Sequence, residues 1–178
     1  MIDTAERQEM QSMQSNSRCM ALRSELEATR AGFHRLLDTV SKAAWRQKSP
    51  SSQWTVAQVF VHLTWALEYL PEEVQRARRG QGMFNLPKRL ADLLSYWYIR
   101  WIARTAAPDS IGRRYDQAMD ASISLLSTIP DSEWKHGADF YGEGFHTVED
   151  LFHVPARHLA EHTTGLCPAQ SGKQTSTR

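Results

Sequence analysis

The sequence predicts an all-α protein: a four-helix bundle of up-down-down-up order, with a long crossover carrying an extra helix between the second and third helices. Three observations lead there. Apolar residues recur at helical spacing through much of the 178-residue chain. The two halves weakly repeat one another. Residues 80–109, which separate the halves, are too many for a simple turn.

Over about 18–42, Met20, Leu22, Leu26, Phe33, Leu36, Leu37 and Val40 recur at helical spacing among charges and mark a long amphipathic first helix. After a polar stretch at 46–53, Thr55 and Gln58 form a capping box, with Trp54 and Val59 placed as a hydrophobic staple. The second helix runs from there to about Arg79, with Pro71 inside it as a kink or an end. The third spans about 110–128, with Ile111, Tyr115, Met119, Ile123 and Leu126 on one face, and stops before Pro130. The fourth opens at Thr147, where Asp150 takes the acid position of a capping box. It continues past Pro155 and His162 to a C-cap at Gly165.

The repeat pairs Leu36, Leu37, Trp45, Thr55, Val56 and Phe60 with Leu125, Leu126, Trp134, Thr147, Val148 and Phe152. Each half is then a helix, a connector closed by a Trp, and a second helix begun at a Thr-Val cap. Two such hairpins packed together make a four-helix bundle, and the long crossover allows the up-down-down-up order. Within that crossover Leu86, Leu90, Leu93, Leu94, Trp97, Trp101 and Ile102 form a broad apolar stripe beside Lys88, Arg89, Arg100 and Arg104. The stripe would cover the bundle, build a dimer interface or rest on a membrane surface.

With 41% hydrophobic residues and six Trp, a chain of this length buries a sizeable core and is most simply one domain, 18–166, between disordered polar tails at 1–17 and 167–178. A net charge of +1, from 21 basic and 20 acidic residues, offers no electrostatic reason for a nucleic-acid partner. Basic clusters such as Arg76, Arg78 and Arg79 read as solvated helix faces. Cys19 and Cys167 sit near opposite ends in polar surroundings, which is no disulfide framework. With no secretory leader and no apolar run long enough for a membrane span, the expectation is a reduced, soluble, cytoplasmic protein.

The chemistry concentrates in histidines. In the string His158-Leu-Ala-Glu161-His162 the two histidines are spaced i, i+4, one turn apart on one helix face, so both imidazoles can reach one ion. Two ligands are too few, and His62, on a helix whose core face is marked by Val56, Val59, Leu63 and Leu67, is the best-placed third. The expected site is three histidines with a coordination position left open. The same string fits the H-x-x-E-H pattern of inverted zinc peptidases, but the residues after His162 contain no His, Asp or Glu to complete it. His153, five positions before His158, should point away unless the Pro155 kink re-aims it; His146, in a Gly-rich loop before the Thr147 cap, reads as a surface residue, and His34 and His136 have no partner at a useful spacing.

Around the triplet, Trp65, Glu68 and Tyr69 follow His62 by three, six and seven positions and are the candidates to line a substrate pocket. The glycine-bearing loop 139–145 leads directly into the fourth helix, so Tyr141 and Glu143 are candidate acid/base or orienting groups. Glu161 is a candidate catalytic base or a solvent-facing charge, and Arg157, next to His158, is a candidate anion anchor.

Taken together, Gln53-Trp54-Thr55-Val-Ala-Gln58 leading to His62, then Thr147-Val-Glu-Asp150 leading to His158 and His162, resemble the DinB-like superfamily of bacterial four-helix bundles. That superfamily includes the metal-binding domain of mycothiol-dependent maleylpyruvate isomerases and related thiol-dependent transferases. The resemblance spans about 21–166. It implies that His62, His158 and His162 bind one divalent ion, zinc or nickel, and that the chain forms a homodimer. It implies no particular reaction. The chain departs from the pattern at Pro155 and in its aromatic crossover helix.

The expected function is therefore a metal-dependent enzyme that activates water, or a low-molecular-weight thiol cofactor, for attack on a small-molecule substrate, as a hydrolase or a thiol-dependent transferase or isomerase. Zinc and nickel both suit imidazole. The alternative is a non-catalytic, metal-containing or stress-associated binding module that acts through the aromatic crossover helix.

Overall fold

The computed structural model describes residues 4–49, 53–83, 88–140 and 144–163. The chain forms α1 (Thr4–Thr39), α2 (Val56–Arg78), α3 (Lys88–Ile102), α4 (Pro108–Leu126) and α5 (Val148–Thr163). Short 3-10 turns at Ala44–Arg46 and Asp131–Glu133 follow α1 and α4, and an antiparallel ribbon of β1 (Gly137–Asp139) and β2 (Phe145–Thr147) precedes α5.

Local chemistry starts the two helices that carry the histidines. Gln58 N–H donates to Thr55 Oγ1 at 3.3 Å and Thr55 N–H to Gln58 Oε1 at 2.9 Å, the expected capping box. Thr147 and Asp150 repeat it: Asp150 N–H donates to Thr147 Oγ1 at 3.1 Å, and Thr147 N–H and hydroxyl donate to Asp150 Oδ2 at 3.0 and 2.7 Å. The repeat extends to the connectors. Val56 N–H reaches the Gln47 carbonyl at 3.0 Å and Val148 N–H reaches that of His136 at 2.8 Å, each acceptor two residues past a buried Trp, Trp45 or Trp134.

The direction of the helices follows from which side chains meet. Arg18 with Glu149, Glu25 with His153 and Gly32 with Leu159 rise together, so α1 and α5 are parallel. Arg30 with Asp120 and His34 with Asp116 run oppositely, so α1 and α4 are antiparallel. His62 pairs with His158, while Leu70 and Val154 share a small cavity, so α2 and α5 are antiparallel. The order is up-down-down-up. The main packing runs between the halves, α1 and α2 each resting on both α4 and α5.

At the centre the Phe33 ring lies flat on Tyr115, centroids 3.6 Å apart, and edge-on to Phe60 at 5.2 Å, so α1, α4 and α2 meet through three buried aromatics. Pro71 and Pro155 both lie within helices without ending them. Pro155 is buried beside Leu63, Leu67 and Tyr115, and that packing helps offset the missing backbone donor.

Several boundaries differ from expectation. The first helix begins at Thr4, not near Arg18, so residues 4–17, expected as a disordered tail, are helical: Ala, Glu, Arg, Gln and Met propagate a helix without an apolar period, and no Gly or Pro interrupts them. The third bundle helix starts two residues early because Pro108 fits the first helical turn. The ribbon β1–β2 was not anticipated; its strands are too short to show alternation, and at Gly137 a Cβ would lie 2.3 Å from the His146 carbonyl oxygen. The crossover helix turns its apolar stripe outward. Ile99 and Ala103 face the bundle, whereas Trp97 and Trp101 are 61% and 65% exposed, with Leu90, Leu93 and Leu94 beside them. Leu86, Gly165 and the 167–178 tail lie outside the described residues. No helix among the described residues is long and apolar enough to cross a membrane.

Candidate metal centre

His62 stands two turns into α2, and α5, running antiparallel beside it, presents His158 and His162 on one face. The three imidazole centroids form a near-equilateral triangle: 4.7 Å from His62 to His158, 4.9 Å from His62 to His162 and 4.7 Å from His158 to His162. The Nε2 atoms of His62 and His158 are 2.9 Å apart, and one nitrogen from each ring lies within 4.8 Å of the others. Tetrahedral Zn–N bonds of about 2.0–2.1 Å place ligand nitrogens about 3.3 Å apart, so small side-chain adjustments bring all three onto one ion.

The electrostatics suit a cation. Burial, reinforced by the neighbouring His158 and His162, pushes His62 down to about 3, and burial also lowers His162. At neutral pH these rings keep lone pairs free for a ligand. Three imidazole nitrogen donors, with no carboxylate or thiol joining the cluster among the described residues, fit a borderline divalent ion of the zinc or nickel kind. His62 Nδ1 is buried without a hydrogen-bond partner among the described residues.

Aromatic rings wall the triplet. Trp54, just before the α2 cap, meets His62 edge-on at 4.6 Å and lies nearly parallel to His162 at 6.1 Å. Trp65 is 6.3 Å from His62 and touches Tyr69 at 5.1 Å and Tyr98 of α3 at 5.7 Å. Trp65 thus lies beside His62, and Tyr69 packs against Trp65. Glu68 does not turn toward the triplet; its carboxylate takes two hydrogen bonds from Arg114 of α4, at 2.9 and 2.8 Å. Six positions is about 600° around a helix, a third of a turn off the His62 face.

Glu161 and Arg157 are exposed on α5, and Glu161 acts on His162 only as a nearby negative charge. Tyr141 and Glu143 lie outside the described residues. His153 points away, as its spacing predicts, and pairs with Glu25 of α1 at 2.8 Å. His34 pairs with Asp116, and His136 Nδ1 meets the Arg78 carbonyl. Sequence reasoning missed Tyr98, which has no spacing relation to any histidine, and took Trp54 for a staple only.

Residues 25–164 match the DinB superfamily. Among solved structures, the chain is similar to the mycothiol-dependent maleylpyruvate isomerase, at 14% identity and a TM-score of 0.68 over 85% of this chain and 61% of that one. It thus spans about three fifths of the isomerase's length. It is also similar to YfiT from Bacillus subtilis, described as a probable metal-dependent hydrolase with an unusual four-helix bundle topology, at 19% identity and a TM-score of 0.65 over 83% and 85% of the two chains. At these identities the likeness is one of fold. No curated protein matches.

Proposed function

The chain belongs to the DinB superfamily, and from that premise we propose that it is a metal-dependent enzyme acting on a small molecule, with His62, His158 and His162 holding one zinc or nickel ion. The observation that carries the reading is the convergence of three imidazole nitrogens within 4.8 Å, without a fourth protein donor among the described residues. Closed four-ligand sets serve structure, whereas three protein ligands leave a position for a reactant. When bound, such an ion supplies Lewis acidity, acidifying water or a thiol or polarising a carbonyl.

The chain's own residues do the rest. The neutral imidazoles hold the ion without cancelling its charge. Trp54 and Trp65 restrict water around the rings and turn the site toward apolar reactants. Hydrolysis and thiol transfer share this arrangement, and the solved relatives, one named for a thiol-dependent isomerisation and one for a probable hydrolase, support both.

The test is elemental mass spectrometry on protein purified without a histidine tag, for wild type and His158→Ala. About one divalent ion per chain, lost in the variant, supports the reading and justifies assaying ester hydrolysis and thiol addition with and without a low-molecular-weight thiol. Protein that stays metal-free after incubation with zinc and nickel sinks it.

A second reading concerns the partner. The outward stripe of α3, with Leu93, Leu94, Trp97 and Trp101 each more than half exposed, is a large apolar surface for a folded chain to leave in water. We propose that a second copy of the chain covers it, making the protein a homodimer.

A further inference from the structure

The rings around the metal centre do not stop at its edge. From His62 the contacts pass to Trp65 at 6.3 Å, from Trp65 to Tyr98 at 5.7 Å, and from Tyr98 to Trp101 at 6.4 Å. Tyr69 flanks the path through Trp65. It begins at half-buried rings beside the histidines and ends on α3, where Tyr98 is 43% exposed. Along this path the rings pass from partly buried to exposed, so their faces are open to a molecule that reaches the histidines from the α3 side.

Two further features restrict what would lie on it. Glu68, three positions after Trp65 on α2, is committed to Arg114 of α4 by two hydrogen bonds, so the strip offers a ligand no free charge from that pair. Trp65 Nε1 is buried and has no acceptor among the described residues. Without accessible surface, that N–H is out of reach of a molecule on the strip, so the indole presents its ring and not its donor.

Resting on the metal-centre reading above, we propose that Trp65, Tyr69 and Tyr98 form a recognition strip for an uncharged aryl group, and that this strip makes the substrate an aromatic compound rather than a short aliphatic one. The reacting end lies at the histidines and the aryl group extends toward α3. Tyr98, supplied by the crossover helix, is the specificity-determining residue of the strip.

The experiment has a metal-free arm and a metal-loaded arm. Metal-free wild type, Tyr98→Ala and Tyr98→Leu are titrated with 2-naphthol by ligand-observed nuclear magnetic resonance, with circular dichroism confirming that helicity is kept. Zinc-loaded protein is titrated with benzohydroxamate and acetohydroxamate, which share a metal-binding head and differ in the aryl group. Saturable naphthol binding that weakens about tenfold in both Tyr98 variants is expected, with about a tenfold preference for benzohydroxamate that shrinks in the same variants. Naphthol binding that is absent, or indifferent to Tyr98, overturns the strip, as does equal affinity for the two hydroxamates. Failure to load zinc sinks the metal-centre reading instead, and the naphthol arm then decides the strip by itself.

Discussion

The Nε2 atoms of His62 and His158 stand 2.9 Å apart although the residues are 96 positions apart in the chain. Bundle geometry alone makes that contact: α2 and α5 run antiparallel, each started by a threonine cap that sets which residues face inward. Two imidazoles this close cannot both be protonated without strong repulsion, and the depression of His62 to about 3 reflects burial first and the neighbouring rings second.

Ligand loss should therefore be shared among the three histidines and absent elsewhere. His62→Ala, His158→Ala and His162→Ala should each remove most bound zinc or nickel by elemental mass spectrometry. His153→Ala should retain it, because His153 is held by Glu25 on the opposite side of α5. Equal loss in His153→Ala would contradict the orientation of that helix.

Thr55 sets the register of α2 and hence the height of His62. Replacing it with Ala removes one side of the capping box and should cost about 1 kcal/mol in urea denaturation. Some ion affinity should go with it as the first turn frays. A variant with wild-type stability would mean that packing of Val56 and Val59, both buried, holds the helix start without the cap.

What was readable from sequence was mostly local. The Thr55–Gln58 box, the Thr147–Asp150 box and the His158–His162 pair are each set by three or four residues of spacing, and helix geometry turns spacing directly into proximity. The Trp45 and Trp134 connectors were readable because they recur. What escaped needed a partner from elsewhere. Glu68 has the spacing of a residue near the site but is claimed by Arg114, 46 positions away. The apolar period of α3 was visible, yet a period does not say which neighbours cover it, and Ile99 and Ala103 turned inward while Trp97 turned out.

Glu68 gives a sharp test of that distinction. Its pair with Arg114 is exposed, so Glu68→Gln should change stability by no more than about 1 kcal/mol. Metal content should stay at the wild-type level. A large drop in bound ion would instead put Glu68 in the site.

The outward face of α3 predicts association. Sedimentation velocity at micromolar concentration should show a dimer for wild type and a monomer for a Leu93→Glu/Trp97→Glu double variant, since charges replace two exposed apolar side chains while Ile99 and Ala103 still anchor the helix. A wild-type monomer across the concentration range would remove the second copy as the occupant.

The second cap carries a pH signature of its own. The Thr147 hydroxyl and backbone N–H donate to Asp150 and hold its carboxyl below the ordinary carboxylate value. A group whose folded pKa is depressed stabilises the fold above its unfolded pKa, and that contribution disappears as pH falls through the folded value. The start of α5 adds the same sign, because an ionised carboxylate is favoured at a helix N-terminus. Wild type should therefore be more stable than Asp150→Ala at pH 6, with the gap narrowing below about pH 4. Other carboxylates titrate in both proteins and largely cancel in the difference. Urea melts of the pair at pH 6 and pH 3 read it directly, and a gap that stays constant or widens in acid would show that Asp150 supports α5 through its shape rather than its charge.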